Sequence, residues 1–254
     1  MITALIAIGG LALFAAPLYG VDLPASTPVL IAVLAGIAVL AFVEGATRRL
    51  DARRFALIAV IAALDSALRL VLVIGVGGFS PVFFLILCAG YVYGPSFGFL
   101  CGTLSLLASA VVTGGIGPWL PYEMVGCGWI GLIAGVAGLR RHRPPVAVDL
   151  AILGVVAVVT GYLYGALLDL WDWTTFYRGV PGFGWQPGLG IGASVARFAR
   201  FYTTTSAVWD TFRAAGDALL VAAIGLPVLA ALQRVRARFT VTVLAQPPDV
   251  PARS

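Results

Sequence analysis

The sequence predicts an all-α polytopic membrane protein, and three observations predict it. Of the 254 residues, 61% are hydrophobic and only 11% are charged, a balance far too apolar for a soluble domain of this length. Apolar runs of about 20 residues recur, each long enough to cross a hydrocarbon core. The basic residues cluster beside these runs, which is the pattern of a topology signal. The short alternating segments of a membrane β-barrel do not occur.

The spans fall at 3–19, 28–46, 55–75, 79–93, 95–113, 120–139, 146–168 and 210–233. The first lacks a basic leader segment and runs on into the second, so it reads as a membrane helix rather than a signal peptide. The third, ALIAVIAALDSALRL, carries Asp65 and Arg69 four residues apart, on one helix face. Ala59, Ala63 and Ala67 form a small-residue stripe roughly opposite that pair. Spans four and five are joined by a tight turn at Gly94 and Pro95. Span six is entered through GGIGPWLPYEM, where two prolines and a run of glycines break the helix and leave Trp119, Tyr122 and Glu123 at the break. Span eight opens WDTFRAAGDALL, which puts Asp210, Arg213 and Asp217 on one face. Charges within a membrane helix are costly and face a bundle interior or a wet cavity. A polar network of Asp65, Arg69, Asp210, Arg213 and Asp217 is therefore expected below an external cavity. The competing reading is a set of structural ion pairs.

Arginine counts orient the chain. Arg48, Arg49, Arg53 and Arg54 follow span two, Arg140, Arg141 and Arg143 follow span six, and Arg234, Arg236 and Arg238 follow span eight. With eight spans, all three loci fall on one side together with both termini, which the positive-inside rule makes cytoplasmic. The organisation expected is a two-helix extension over 1–47, a six-helix core over 55–239 and a cytoplasmic tail over 240–254. The opposite side carries VDLPASTP, VGGFSP, TGGIGPWLPY and the segment 169–209. That last segment is too long for an ordinary connection and reads as a lid. It includes Trp171, Trp173, Phe201, Tyr202 and Trp209, with a helix starting near Ser194 as N-cap. The external tryptophans serve as a membrane-interface belt, as the lining of a site, or as both.

Several classes of function are excluded or disfavoured. The chain has no lysine, so it holds no GxxxxGK[ST] phosphate loop. Its one histidine, His142, sits in the basic RRHRPP loop, away from any nucleophile. Cys88, Cys101 and Cys127 lie in apolar segments and read as small core residues, not as a disulfide or metal set. The arginine clusters beside the spans read as topology signals, not a nucleic-acid surface. The residues alone leave two transport readings open, a binding subunit powered by other proteins and a self-sufficient proton-coupled transporter that uses the intramembrane charges, with a membrane enzyme or structural scaffold as a third.

The stretch VFFLILCAGYVYGPSFGFLCGTLSLLASAVVTGGIGPWLPYEMVGCGWIGLIAG, residues 82–135, resembles the substrate-specific S components of energy-coupling factor (ECF) transporters. The resemblance extends over about residues 55–235, through YGALLDLWDW and FRAAGDALL. It implies a six-helix core that captures a vitamin-like micronutrient from outside. It also implies a transmembrane T component and two cytoplasmic ABC ATPases as partners, in a bacterial cell membrane, with no cofactor of the chain's own. The alanine stripe, Ala59 and Ala63 with Ala67, would meet the T component. The pocket would be built from GGFSP, GPWLPYE and the segment 169–209, with Trp119 packing on the ligand and Tyr122 and Glu123 giving polar contacts. The long final segment suggests a large ligand, cobalamin first, then riboflavin or another planar heterocycle. The two leading spans depart from the six-helix pattern.

Overall fold

The computed structural model describes residues 2–47, 51–71, 82–139 and 146–239. Within them the chain is helical, in the order α1 (Ile2–Ala15), a 3-10 helix (Ala16–Tyr19), α2 (Ser26–Ala46), α3 (Ala52–Val71), α4 (Val82–Tyr93), α5 (Pro95–Thr113), α6 (Leu120–Ala137), α7 (Ala147–Thr175), α8 (Ile191–Thr205) and α9 (Ala207–Phe239). Five of these are long and apolar enough to cross a membrane, and α1 with its 3-10 turn and α4 are shorter apolar helices. Arg48, Arg49, Arg140, Arg141, His142 and Arg143, the GGFSP connection and the 240–254 tail lie outside the described residues.

The centre of the bundle is α6. It packs against α5 most extensively, then against α4 and α7, while α7 pairs with α9 and α3 with α5. Glycine makes the α4–α5–α6 seam possible. A Cβ on Gly98 or Gly90 would collide with the backbone carbonyl of Gly131, and one on Gly102 with that of Cys127. Small residues let membrane helices approach to backbone contact, where dispersion and packing replace the hydrophobic effect. Gly131→Leu would drive a side chain into the Gly98 backbone. It is expected to destabilise the bundle by about 1–3 kcal/mol or more, read as early loss of the monodisperse peak when detergent-purified protein is heated.

Tight geometry closes the arginine-rich end. Gly94 takes φ +97°, a conformation that favours glycine, and Pro95 follows at the first turn of α5. Tyr93 Oη donates to the Leu232 carbonyl at 2.9 Å and Arg236 Nη1 to that of Val92 at 2.7 Å. Tyr91 Oη donates to Asp149 Oδ1 at 2.7 Å, and Asp149 Oδ2 takes the Val146 N–H at 2.9 Å, capping α7. Tyr93 lies within the electrostatic reach of both Arg54 and Arg236, so two of the three arginine loci share this end.

The external segment differs from the sequence expectation. Residues 169–175 are not loop, because α7 continues to Thr175, 29 residues in all. At 1.5 Å per residue that is about 43 Å, longer than the hydrocarbon is thick, so the helix projects beyond it. Hydropathy marks the edge of the hydrocarbon and not the end of the helix, and no glycine or proline interrupts LLDLWDWTT. Residues 191–205 form α8, and α9 opens at Ala207. The connection proper is 176–190. Ser194 is not the N-cap of α8. Gly190 is, and Ser194 sits fully buried within the helix.

Helix α8 is not among the helices long and apolar enough to cross a membrane. It has 15 residues and carries Arg197 and Arg200. Its apolar side, with Phe198 and the buried Phe201, packs onto Trp173 and Tyr177. Such an amphipathic helix lies over the external end of the bundle. The extension α1–α2 rests on the core: Phe14 is fully buried, 5.7 Å from the ring of Tyr122 and 5.9 Å from that of Trp129.

Candidate functional site

The GGIGPWLPYEM break has a mechanical explanation. Gly114 ends α5 in the left-handed region, φ +69°. Trp119 is the N-cap of α6, and proline follows within its first two positions. Glu123 therefore stands in the first turn of α6, where the helix dipole favours a carboxylate. The indole of Trp119 folds over Gly117, where any Cβ would strike the ring. It meets Trp171 of α7 edge-on at 6.3 Å and stays 38% exposed.

Around Glu123, charged groups from four helices converge. Arg69 of α3 and Arg213 of α9 both act electrostatically on Glu123 of α6, as does Asp172 of α7. Tyr164 of α7 is buried among them. Its ring lies 5.5 Å from the Arg213 guanidinium and 4.7 Å from Phe83 of α4. Arg213 is held from behind by an ion pair to Asp210. Asp210 also accepts Tyr202 Oη at 2.8 Å, and it fits only because position 165 is glycine, whose missing Cβ it displaces. Burial pushes the Tyr202 phenol up, and the hydrogen bond to Asp210 and its charge push it further, so Tyr202 is a neutral donor at physiological pH. Ser206 Oγ donates to Asp169 Oδ1 at 2.9 Å, locking the α8–α9 corner onto α7.

The pairing expected between Asp65 and Arg69 does not form. Arg69 Nη1 donates to Ser109 Oγ of α5 at 3.3 Å. Asp65 is fully buried beside Ser105, one turn along the same helix, with neither carboxylate oxygen hydrogen-bonded. Both side chains turn to α5 instead of to each other. Asp217 is likewise fully buried without a hydrogen bond, one turn beyond Arg213. The five charges thus share one region without forming one hydrogen-bonded network.

The aromatic candidates divide. Trp171 is 6% exposed and flanked by Trp119, Tyr122 and Phe176. Tyr122 is fully buried, and its hydroxyl is tied to the Pro24 carbonyl at 2.9 Å, so its polar atom faces the α1–α2 connection. Trp173 is fully buried, with its N–H donated to the Phe183 carbonyl at 2.7 Å. Phe201 is buried in a cluster with Tyr177, Phe183 and Phe198. Trp209 stands 53% exposed at the start of α9, a position suited to the membrane interface. Ala59, Ala63 and Ala67 line an outward apolar groove of about 640 Å³ with Leu104, Leu107 and Val112 of α5. Sequence reasoning missed Tyr164, Gly165, Asp169, Ser109 and Ser206. A tyrosine or serine in an apolar run reads as core, and only the packing of neighbouring helices gives it a partner.

The charged cluster and the helical bundle together define a multi-pass membrane protein with a polar cluster at the end opposite the Tyr93 turn. The family model described as ECF transporter, substrate-specific component, matches residues 53–232. The chain belongs to that family and is a substrate-specific membrane subunit. No curated protein and no solved structure matches the chain.

Proposed function

We propose that the protein captures a vitamin-like micronutrient at its external end and releases it inward, as part of an importer completed by a T component and two ABC ATPases in a bacterial cell membrane. The observation that carries this reading is the convergence of Arg69, Glu123 and Arg213 behind Trp119. It offers a flat aromatic surface beside two guanidinium groups and one carboxylate, the mixture of apolar walls and few placed polar groups that holds small molecules. The sequence has no phosphate loop, which supports a reading in which partners hydrolyse the ATP.

The expectation of a corrin-sized cargo rested on a likeness to cobalamin-type S components and on the length of the external segment. In the fold, that segment is largely helix, and its aromatic side chains pack on one another. A planar heterocycle bearing an anionic or hydrogen-bonding edge therefore suits the site better than cobalamin. Purified protein, denatured and extracted, is expected to release such a compound in stoichiometric amount, identified by mass spectrometry and absorption. A corrin spectrum would overturn the choice of cargo. Uptake by the lone chain in liposomes, driven by a proton gradient without ATPases, would overturn the importer reading in favour of a proton-coupled transporter. Trp119→Ala is expected to lower the co-purified ligand several-fold while leaving the melting temperature nearly unchanged, because its ring is partly exposed.

A further inference from the structure

The two-helix extension, residues 1–47, lies before the family match, which begins at residue 53. Its external connection nevertheless meets the 176–190 cover along a continuous edge. Trp185 Nε1 donates to the Pro17 carbonyl at 3.1 Å, and Gly188 N–H donates to the Gly20 carbonyl at 3.0 Å. Gly20 sits at φ +70°, and a Cβ there would collide with the Leu189 backbone. Arg178 pairs with Asp22 and places its guanidinium 4.4 Å above the Trp185 ring. Trp185 is consequently 0% exposed, although it belongs to a connection at the external end. On its other side, the extension is tied to the first turn of α6 through Tyr122 Oη and the Pro24 carbonyl.

We infer that α1 and α2 form a strut that fixes one edge of the external cover and holds it in register with the α6 turn bearing Trp119 and Glu123. Three features separate a strut from incidental packing. The contact combines backbone bonds with a buried indole peg, and a buried donor left unpaired is costly. It requires glycine at position 20, where no side chain fits. The same short connection, residues 16–24, touches both the cover and α6. Trp185 is then a positioning residue for the cover. The edge at the extension stays closed, and the cover yields at its opposite edge. The inference concerns the fold alone and holds whichever molecule is captured.

Amide hydrogen exchange on the full chain in detergent tests it. Trp185→Phe keeps the ring but deletes the N–H to Pro17. It is expected to speed exchange across 176–190 about tenfold or more, while peptides from 95–113 stay within twofold. A general rise over both regions would mean global destabilisation and would overturn the positioning role, as would no change in 176–190. The second arm uses Asp22→Cys with Arg178→Cys, joined by a short thiol-specific cross-linker. Exposed ion pairs contribute little to stability, and the loss of the Arg178 guanidinium over Trp185 is common to the cross-linked and uncross-linked double variants. Cross-linking an edge that is already fixed is expected to leave exchange in 176–190 within twofold of the uncross-linked double variant. A tenfold slowing would show that this edge opens in the resting protein and would overturn the strut.

Discussion

Arg213→Ala is expected to abolish ligand capture and to destabilise the external ends of α7 and α9. Arg213 is the ion-pair partner of Asp210, with the two side chains 17% and 2% exposed, and the nearest cation on its helix to the buried Asp217. Removing it leaves two buried carboxyls without a cation. Breaking such a pair from one side costs about 3–5 kcal/mol. It also removes one of the two guanidinium groups acting on Glu123. Arg213→Lys keeps the charge but loses the planar face over Tyr164 and the fork toward Asp210, so it is expected to fall between wild type and alanine. The measurement is ligand content by extraction alongside the melting temperature. A variant that melts early but retains full ligand would assign the cluster to structure alone.

Ala63→Trp is expected to do the reverse of Trp119→Ala. Ala63 is exposed on the groove between α3 and α5, and an indole there would fill a surface shaped by small side chains. Under the proposed function it prevents association with the T component, at least tenfold by co-purification, and spares bound ligand. The Asp65 face of the same helix is untouched, since that residue turns inward to α5. If Ala63→Trp emptied the site and spared the partner, the two faces of α3 would have the opposite roles.

The two faces of α3 were legible because polar and small residues alternate there with helical period. That arginine clusters share one end of the bundle was legible from their spacing, and two of those loci, at Arg54 and Arg236, meet around Tyr93. What sequence could not provide was the choice of partner. Asp65 and Arg69 are spaced to pair within one helix, yet Ser109 of α5 draws Arg69 across while Asp65 lies buried beside Ser105. The helix ends beyond the hydrocarbon were also hidden, because LLDLWDWTT is polar enough to end a span and still helical enough to extend one. Tyr122 was legible as a residue at a helix break. Its attachment to Pro24, 98 positions away in the chain, follows only from how the extension packs.

The three cysteines, each fully buried on α4, α5 or α6, make the molecule a quiet background for labelling. Their thiols are shut away from water-soluble maleimides, and lysine is missing altogether. A single cysteine placed on the cover or on the α3 groove would then be the chief site that a spin label or fluorophore finds. Distances between the external and arginine-rich ends could be followed in the intact wild-type core, with no native thiol removed beforehand.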